Sequence, residues 1–115
     1  MAHKDDSFKE YVEDELLREV DGISVRTLFG GHGIYRHGVC IGLIHSGMLY
    51  FKVDSVSQKD YEAEGSKPFM YTGHTGKTVA LSFWEVPGIV ADNPEAIYPW
   101  AIAAYEAALR AKKKK

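Results

Sequence analysis

One cysteine, Cys40, stands in the 115-residue chain, so no disulfide can close within it and no CxxC redox or metal motif exists. Neither sign of charge dominates. Fourteen Lys and Arg against sixteen Asp and Glu leave a formal net charge of -2 and a pI near 6.2. A chain so balanced has no domain-wide basic field to draw in nucleic acid or anionic lipid. No apolar run approaches the ~20 residues of a membrane span. The opening residues, MAHKDDSFKEY, lack the apolar core of a signal peptide. The expectation from these absences is a reducing, cytoplasmic setting with no membrane contact.

What remains is enough for one globular unit. Hydrophobic residues make up 45% and aromatic residues 12% of the sequence, sufficient for a core without disulfide or metal staples. A chain of this length is read as one domain over residues 1–115, with an ordered core of about 7–110 and a frayed lysine tail at 111–115.

Ser7-Phe8-Lys9-Glu10 has the spacing of a capping box. Phe8, Tyr11, Val12, Leu16 and Val20 follow at three- to five-residue steps, and Gly22 closes the segment, which predicts an amphipathic helix. Four short β-rich runs come next: Ile23–Phe29, Gly33–Arg36, Val39–His45 and Met48–Asp54. His37-Gly38 and Ser46-Gly47 fit two-residue hairpin turns. Ser55 to Glu64 reads as a short helix ending at Gly65. A further hairpin, Pro68–Thr72 with Thr78–Val86, turns around GHTGK. A last helix starts near Asn93 and Pro94, with a kink or break expected at Pro99. Strands in series between helices predict an α+β fold: an antiparallel sheet of five or six strands with N-terminal, middle and C-terminal helices.

The hairpin register predicts two apolar sheet faces. Ile44 with Leu49, Gly42 with Phe51 and Cys40 with Val53 share one. Leu43 with Tyr50 and Ile41 with Lys52 share the other, and carrying the register across His37-Gly38 adds Ile34 and Arg36 to it. Ile34, Ile41, Leu43 and Tyr50 are too apolar for a face left in water. Either a helix covers them, or a protein partner or second copy of the chain does. Phe83 and Trp84 should point to opposite faces, making Trp84 either a core residue or an interface anchor.

Chemical motifs are scarce. In LFGGHGIYRHG (Leu28–Gly38) a GxGxxG phosphate loop would need glycine where Arg36 stands, and Gly76-Lys77-Thr78 lacks the earlier glycine of a P-loop. His32, His37, Cys40, His45 and His74 have no metal-ligand spacing, and Cys40 sits mid-strand like a small buried hydrophobe. Asp54, Asp60 and Glu62 flank turns or helix starts, where carboxylates cap backbone N–H groups. The expectation is a non-enzymatic domain with no cofactor, metal or catalytic residue. A ligand pocket around Tyr35, Tyr50, Tyr71 or the histidines, and DNA contact through Arg110–Lys115, are the alternatives.

Four blocks are specific in combination: F-G-G-x-G-x-Y (Phe29, Gly30, Gly31, Gly33, Tyr35), L-Y-F-K-V-D (Leu49–Asp54), Y-E-x-x-G-x-x-P-F-x-Y (Tyr61–Tyr71, with Pro68 and Phe69) and W-E-V-P (Trp84–Pro87, with Glu85). Their order and spacing, over roughly Ser7 to Arg110, resemble the N-terminal domain of the TfoX/Sxy family. The resemblance implies a small α+β domain similar to secretion-chaperone-like folds. It also implies a regulatory part, since the family is named for regulators that promote transcription of DNA-uptake genes during natural competence. Those regulators look like two-domain proteins with a separate C-terminal helical domain, and the resemblance covers the first. The family supplies no catalytic residues. The expected role is therefore regulatory protein interaction, with Ile34, Ile41, Leu43, Tyr50 and Trp84 as candidate interface residues.

Overall fold

The computed structural model describes residues 4–28, 30–72 and 76–113. Its first helix, α1 (Lys4–Tyr11), begins before the expected capping box, so Ser7 lies inside it. The helix widens into a π-helical turn over Val12–Leu16, and Leu17 N–H donates to the Val12 carbonyl at 2.9 Å. The wider turn lets Val12, Leu16 and Leu17 all reach the core.

Six strands follow: β1 (Ile23–Leu28), β2 (Gly31–Arg36), β3 (Val39–His45), β4 (Met48–Lys52), β5 (Pro68–Thr72) and β6 (Thr78–Glu85). They form one antiparallel sheet in the order β1-β2-β3-β4-β6-β5, the α+β arrangement expected. His37 and Ser46 have φ of 50° and 51°, and each precedes a glycine of positive φ, so both hairpins use turns whose twist matches the strands. Gly73 to Thr75, in the expected β5–β6 turn, lie outside the described residues.

Two further helices complete the fold. α2 (Gln58–Ala63) ends as its sequence suggests: Gly65 has φ 73°, its N–H donates to Glu62 and Ser66 N–H donates to Tyr61, closing the free carbonyls. α3 (Pro94–Lys113) is capped by Asn93, whose Oδ1 accepts from the N–H groups of Glu95 at 2.9 Å and Ala96 at 3.2 Å. It runs through Pro99 as one helix, not as a separate turn and helix. Pro99 and Glu95 are both exposed, so water can reach the carbonyl that proline leaves without a donor. No helix among the described residues is long and apolar enough to cross a membrane.

The helices share one side of the sheet. Val12, Leu16, Ile97, Ala101 and Ala104 pack with Ile34, Ile41, Ile44, Leu49 and Phe51 in the main core. Phe51 is fully buried because Gly42, its partner across the ladder, has no side chain. A Cβ at Gly42 would sit 2.5 Å from the Tyr50 carbonyl oxygen and 2.9 Å from the Phe51 ring. Trp100 of α3 meets Tyr61 of α2 edge to face, with centroids 4.9 Å apart, and so docks the small helix.

Asp54 ties the end of β4 to both later helices. Its Oδ1 accepts from the N–H groups of Val56 at 3.1 Å and Ser57 at 3.2 Å, the capping role read from sequence. Its two oxygens also take a forked pair from Arg110 of α3, from Nε at 2.5 Å and Nη2 at 3.0 Å. The Arg110 guanidinium holds the Asp54 carboxyl down at about 2, against an ordinary 3.8.

Two outcomes are expected. Gly42→Ala should lower unfolding stability by about 2 kcal/mol in chemical denaturation, through overpacking against backbone. Asp54→Asn should cost about 1 kcal/mol at neutral pH by losing the charged partner of a partly solvent-screened Arg110. The folded carboxyl of Asp54 titrates below the unfolded one, so its contribution is complete above pH 3.8 and is lost as pH falls towards 2. Stability measured across that window should fall less steeply in Asp54→Asn than in the parent.

Candidate interaction site

Among the described residues no helix lies on the sheet's other face, and its centre is closed by the sheet itself. Leu43, Tyr50 and Phe69 form a second buried cluster, with Leu28, Tyr71, Leu81 and Phe83 packed half-buried around it. Phe69 stands on the edge strand β5, with β6 between it and β4. Its ring nevertheless lies 4.9 Å from that of Tyr50 on β4 and 5.1 Å from that of His45 on β3. Strands in a flat sheet are about 4.8 Å apart, so the β5–β6 end must curl over the face for these rings to touch. Burial, and then the neighbouring Glu85 carboxylate, raise the Tyr50 phenol above its ordinary value.

This geometry corrects the expected membership of the second face. The register shifts between Ile34 and Tyr35: Tyr35 pairs with Cys40, but Ile34 pairs with Gly42. Ile41 is the extra residue of a β-bulge, and the bulge turns its side chain to the helix side. Ile34, facing Gly42, also joins the helix-side core, and both isoleucines are fully buried. Arg36 moves with them. Its Nη2 donates to Asp21 Oδ1 at 2.7 Å and its guanidinium lies 4.6 Å over the ring of Tyr105 on α3. Trp84, opposite Phe51, packs half-buried on the same core. Of the five candidate interface residues, Leu43 and Tyr50 do lie on the helix-free face, but beneath Phe69.

The signature residues serve the frame. Phe29 lies outside the described residues, and Gly30 occupies the β1–β2 turn with φ 78°. A Cβ on Gly31 would collide with the Ile44 carbonyl oxygen, so this glycine lets β2 approach β3. Gly33 lies under the side chains of Leu28 and Tyr35. Pro68 begins β5, and Phe69 covers Tyr50. The Glu85 carbonyl accepts from Ser66 Oγ at 2.5 Å, and the Pro87 carbonyl accepts from Val90 N–H at 3.0 Å.

The accessible part of the face pairs cations with rings. Arg26 lies 5.2 Å over the ring of Tyr35, and Lys52 Nζ lies 5.3 Å over that of Phe83. The sequence identified Tyr35 as a possible pocket residue, but not Lys52 or Phe83. A cross-strand pairing of β4 with β6 was needed to place them together.

Other chemistry-bearing residues are dispersed. Among the described residues no group of three or more His, Cys, Asp or Glu is placed to hold a metal ion. His37 packs edge-on to Tyr105, 3.6 Å from Asp21, and His45 Nδ1 lies 3.2 Å from Ser46 Oγ. His74 lies outside the described residues. Cys40 is half-buried, its Sγ donating to the Gly42 carbonyl at 3.6 Å, and burial pushes its thiol up. Arg110, the first cation of the supposed DNA-binding tail, is engaged with Asp54.

The model of the TfoX N-terminal domain family matches residues 15–108, and the chain belongs to that family. Among curated proteins none matches it.

Cys40 should react with maleimide more slowly at neutral pH than an exposed cysteine, because fewer of its thiols are ionised. The rate, followed by mass spectrometry, should climb as pH rises above the ordinary thiol range.

Proposed function

We propose that this member of the TfoX N-terminal domain family is a non-enzymatic regulatory domain of the cytoplasm that works by binding another protein through the helix-free face of its sheet. The observation that carries the reading is that, among the described residues, every helix packs on one side, while Leu28, Tyr35, Leu81 and Phe83 stay half-buried on the other. Apolar and aromatic side chains on an uncovered face are the usual substance of an interface core. The family's link to competence regulators supports a regulatory purpose.

Tyr50 is not the residue to substitute, because it is buried and a charge there would disturb the fold. Leu28→Glu and Leu81→Glu, made singly, place a carboxylate on the accessible rim instead. The wild-type chain should form a stoichiometric complex, with itself by light scattering or with a captured protein of its own cells. Both variants should lose that complex while unfolding near the wild-type temperature. A wild-type chain that stays monomeric and captures nothing, or variants that keep the complex, would overturn the proposal.

A further inference from the structure

The β3–β4 ladder runs from His45–Met48 to Gly42–Phe51 and stops. Beyond it the bulge at Ile41 bends β3 away, and Lys52 is paired with Phe83 of β6 but with no residue of β3. The sheet is therefore split at this end. A groove of about 420 Å³ lies there, lined by Tyr35 and Cys40 on one bank and Lys52 and Phe83 on the other. The last turns of α3 contribute Ala108 and Lys112 to its wall. Its size falls within the roughly 300–1,000 Å³ of sites that hold small ligands or anchoring side chains.

Its charge is unlike that of the whole molecule. The chain has more acidic than basic residues, 16 against 14, yet the lining includes two lysines and no carboxylate. Among the described residues neither Lys52 nor Lys112 has an ion-pair partner. Arg26 adds a third cation above the Tyr35 ring. Carboxylates collect elsewhere: Glu10, Glu13, Asp14, Glu15 and Glu19 belong to the N-terminal segment. An apolar cleft rimmed by unpaired cations complements an occupant with apolar anchors and acidic flanks.

Nucleic acid suits the groove less well. The lining has no Asn, Gln, Ser or Thr side chain to read a base edge.

We infer that the split between β3 and β4 is a docking groove for an acidic peptide segment of a partner protein, its apolar side chain seated between Tyr35 and Phe83 and its carboxylates on Lys52 and Lys112. The inference rests on the protein-interaction reading above and names the chemistry of the partner.

A fluorescein-labelled peptide of alternating Glu and Leu residues is the probe, read by anisotropy and by amide NMR shifts on the full chain. Saturable binding should weaken with added salt and should move the amides of Cys40, Lys52 and Phe83. Replacing the peptide's Glu by Gln should weaken binding at least about tenfold, as should Lys52→Glu. Ala111→Glu, at an exposed position of α3 beside the groove, puts a carboxylate there without touching the sheet and should act alike. Absence of binding, equal binding by both variants, shifts confined to other strands, or displacement by oligo-dT in preference to peptide would each overturn the assignment. A cellular partner complex that survives Lys52→Glu and Ala111→Glu but is lost in Leu81→Glu would remove the groove and leave the protein-interaction reading standing.

Discussion

The extra residue that β3 carries at Ile41 sets the character of both sides of the sheet. Without it Ile34 would face Ile41, and both would point away from the helices. With it Ile34 faces Gly42, Ile41 rotates inward, and the helix side gains two fully buried isoleucines beneath α1 and α3. The same bulge takes β3 off β4 just past Gly42 and Phe51, and the groove opens at that end of the sheet, beside the last turns of α3. One local irregularity thus supplies core volume and a concave surface together, as bulges often do where a sheet changes direction near a site.

Two charged clusters hold the helices to this bent sheet. Asp54 serves backbone donors at the turn before α2 and the guanidinium of Arg110 in the last part of α3. Arg36 connects β2 to the loop before β1 through Asp21, and to α3 through the ring of Tyr105. Both draw on arginine's planar fork, which can bind an oxygen pair or lie flat on a ring in a way lysine cannot. The groove's Lys52 and Lys112 have no carboxylate partner among the described residues, so the cleft between them is positively charged.

Much of the architecture was legible because it is written in local chemistry. Glycines at positions 38, 47 and 65 and the polar residues beside them mark turns whose backbone angles few other residues accept. Asn93 before Pro94 marks the start of α3. The two-residue turn at Ser46-Gly47 fixed the β3–β4 register from Gly42 to His45. The bulge was not legible, since an inserted residue looks like any other in a run of apolar side chains. Apolarity alone therefore placed Ile34 and Ile41 on the face they do not occupy.

By itself the sequence determined the α+β class, the order of strands and helices, the hairpin turns and the family, because each depends on neighbours in the chain or on short blocks of residues. Only the tertiary structure decided which apolar residues were free. The curl of β5–β6 brings Phe69 over Tyr50 and Leu43, and the pairing of β4 with β6 sets Lys52 beside Phe83. Such contacts join residues about twenty to thirty positions apart and follow from sheet twist and strand order, quantities that no local pattern of side chains encodes.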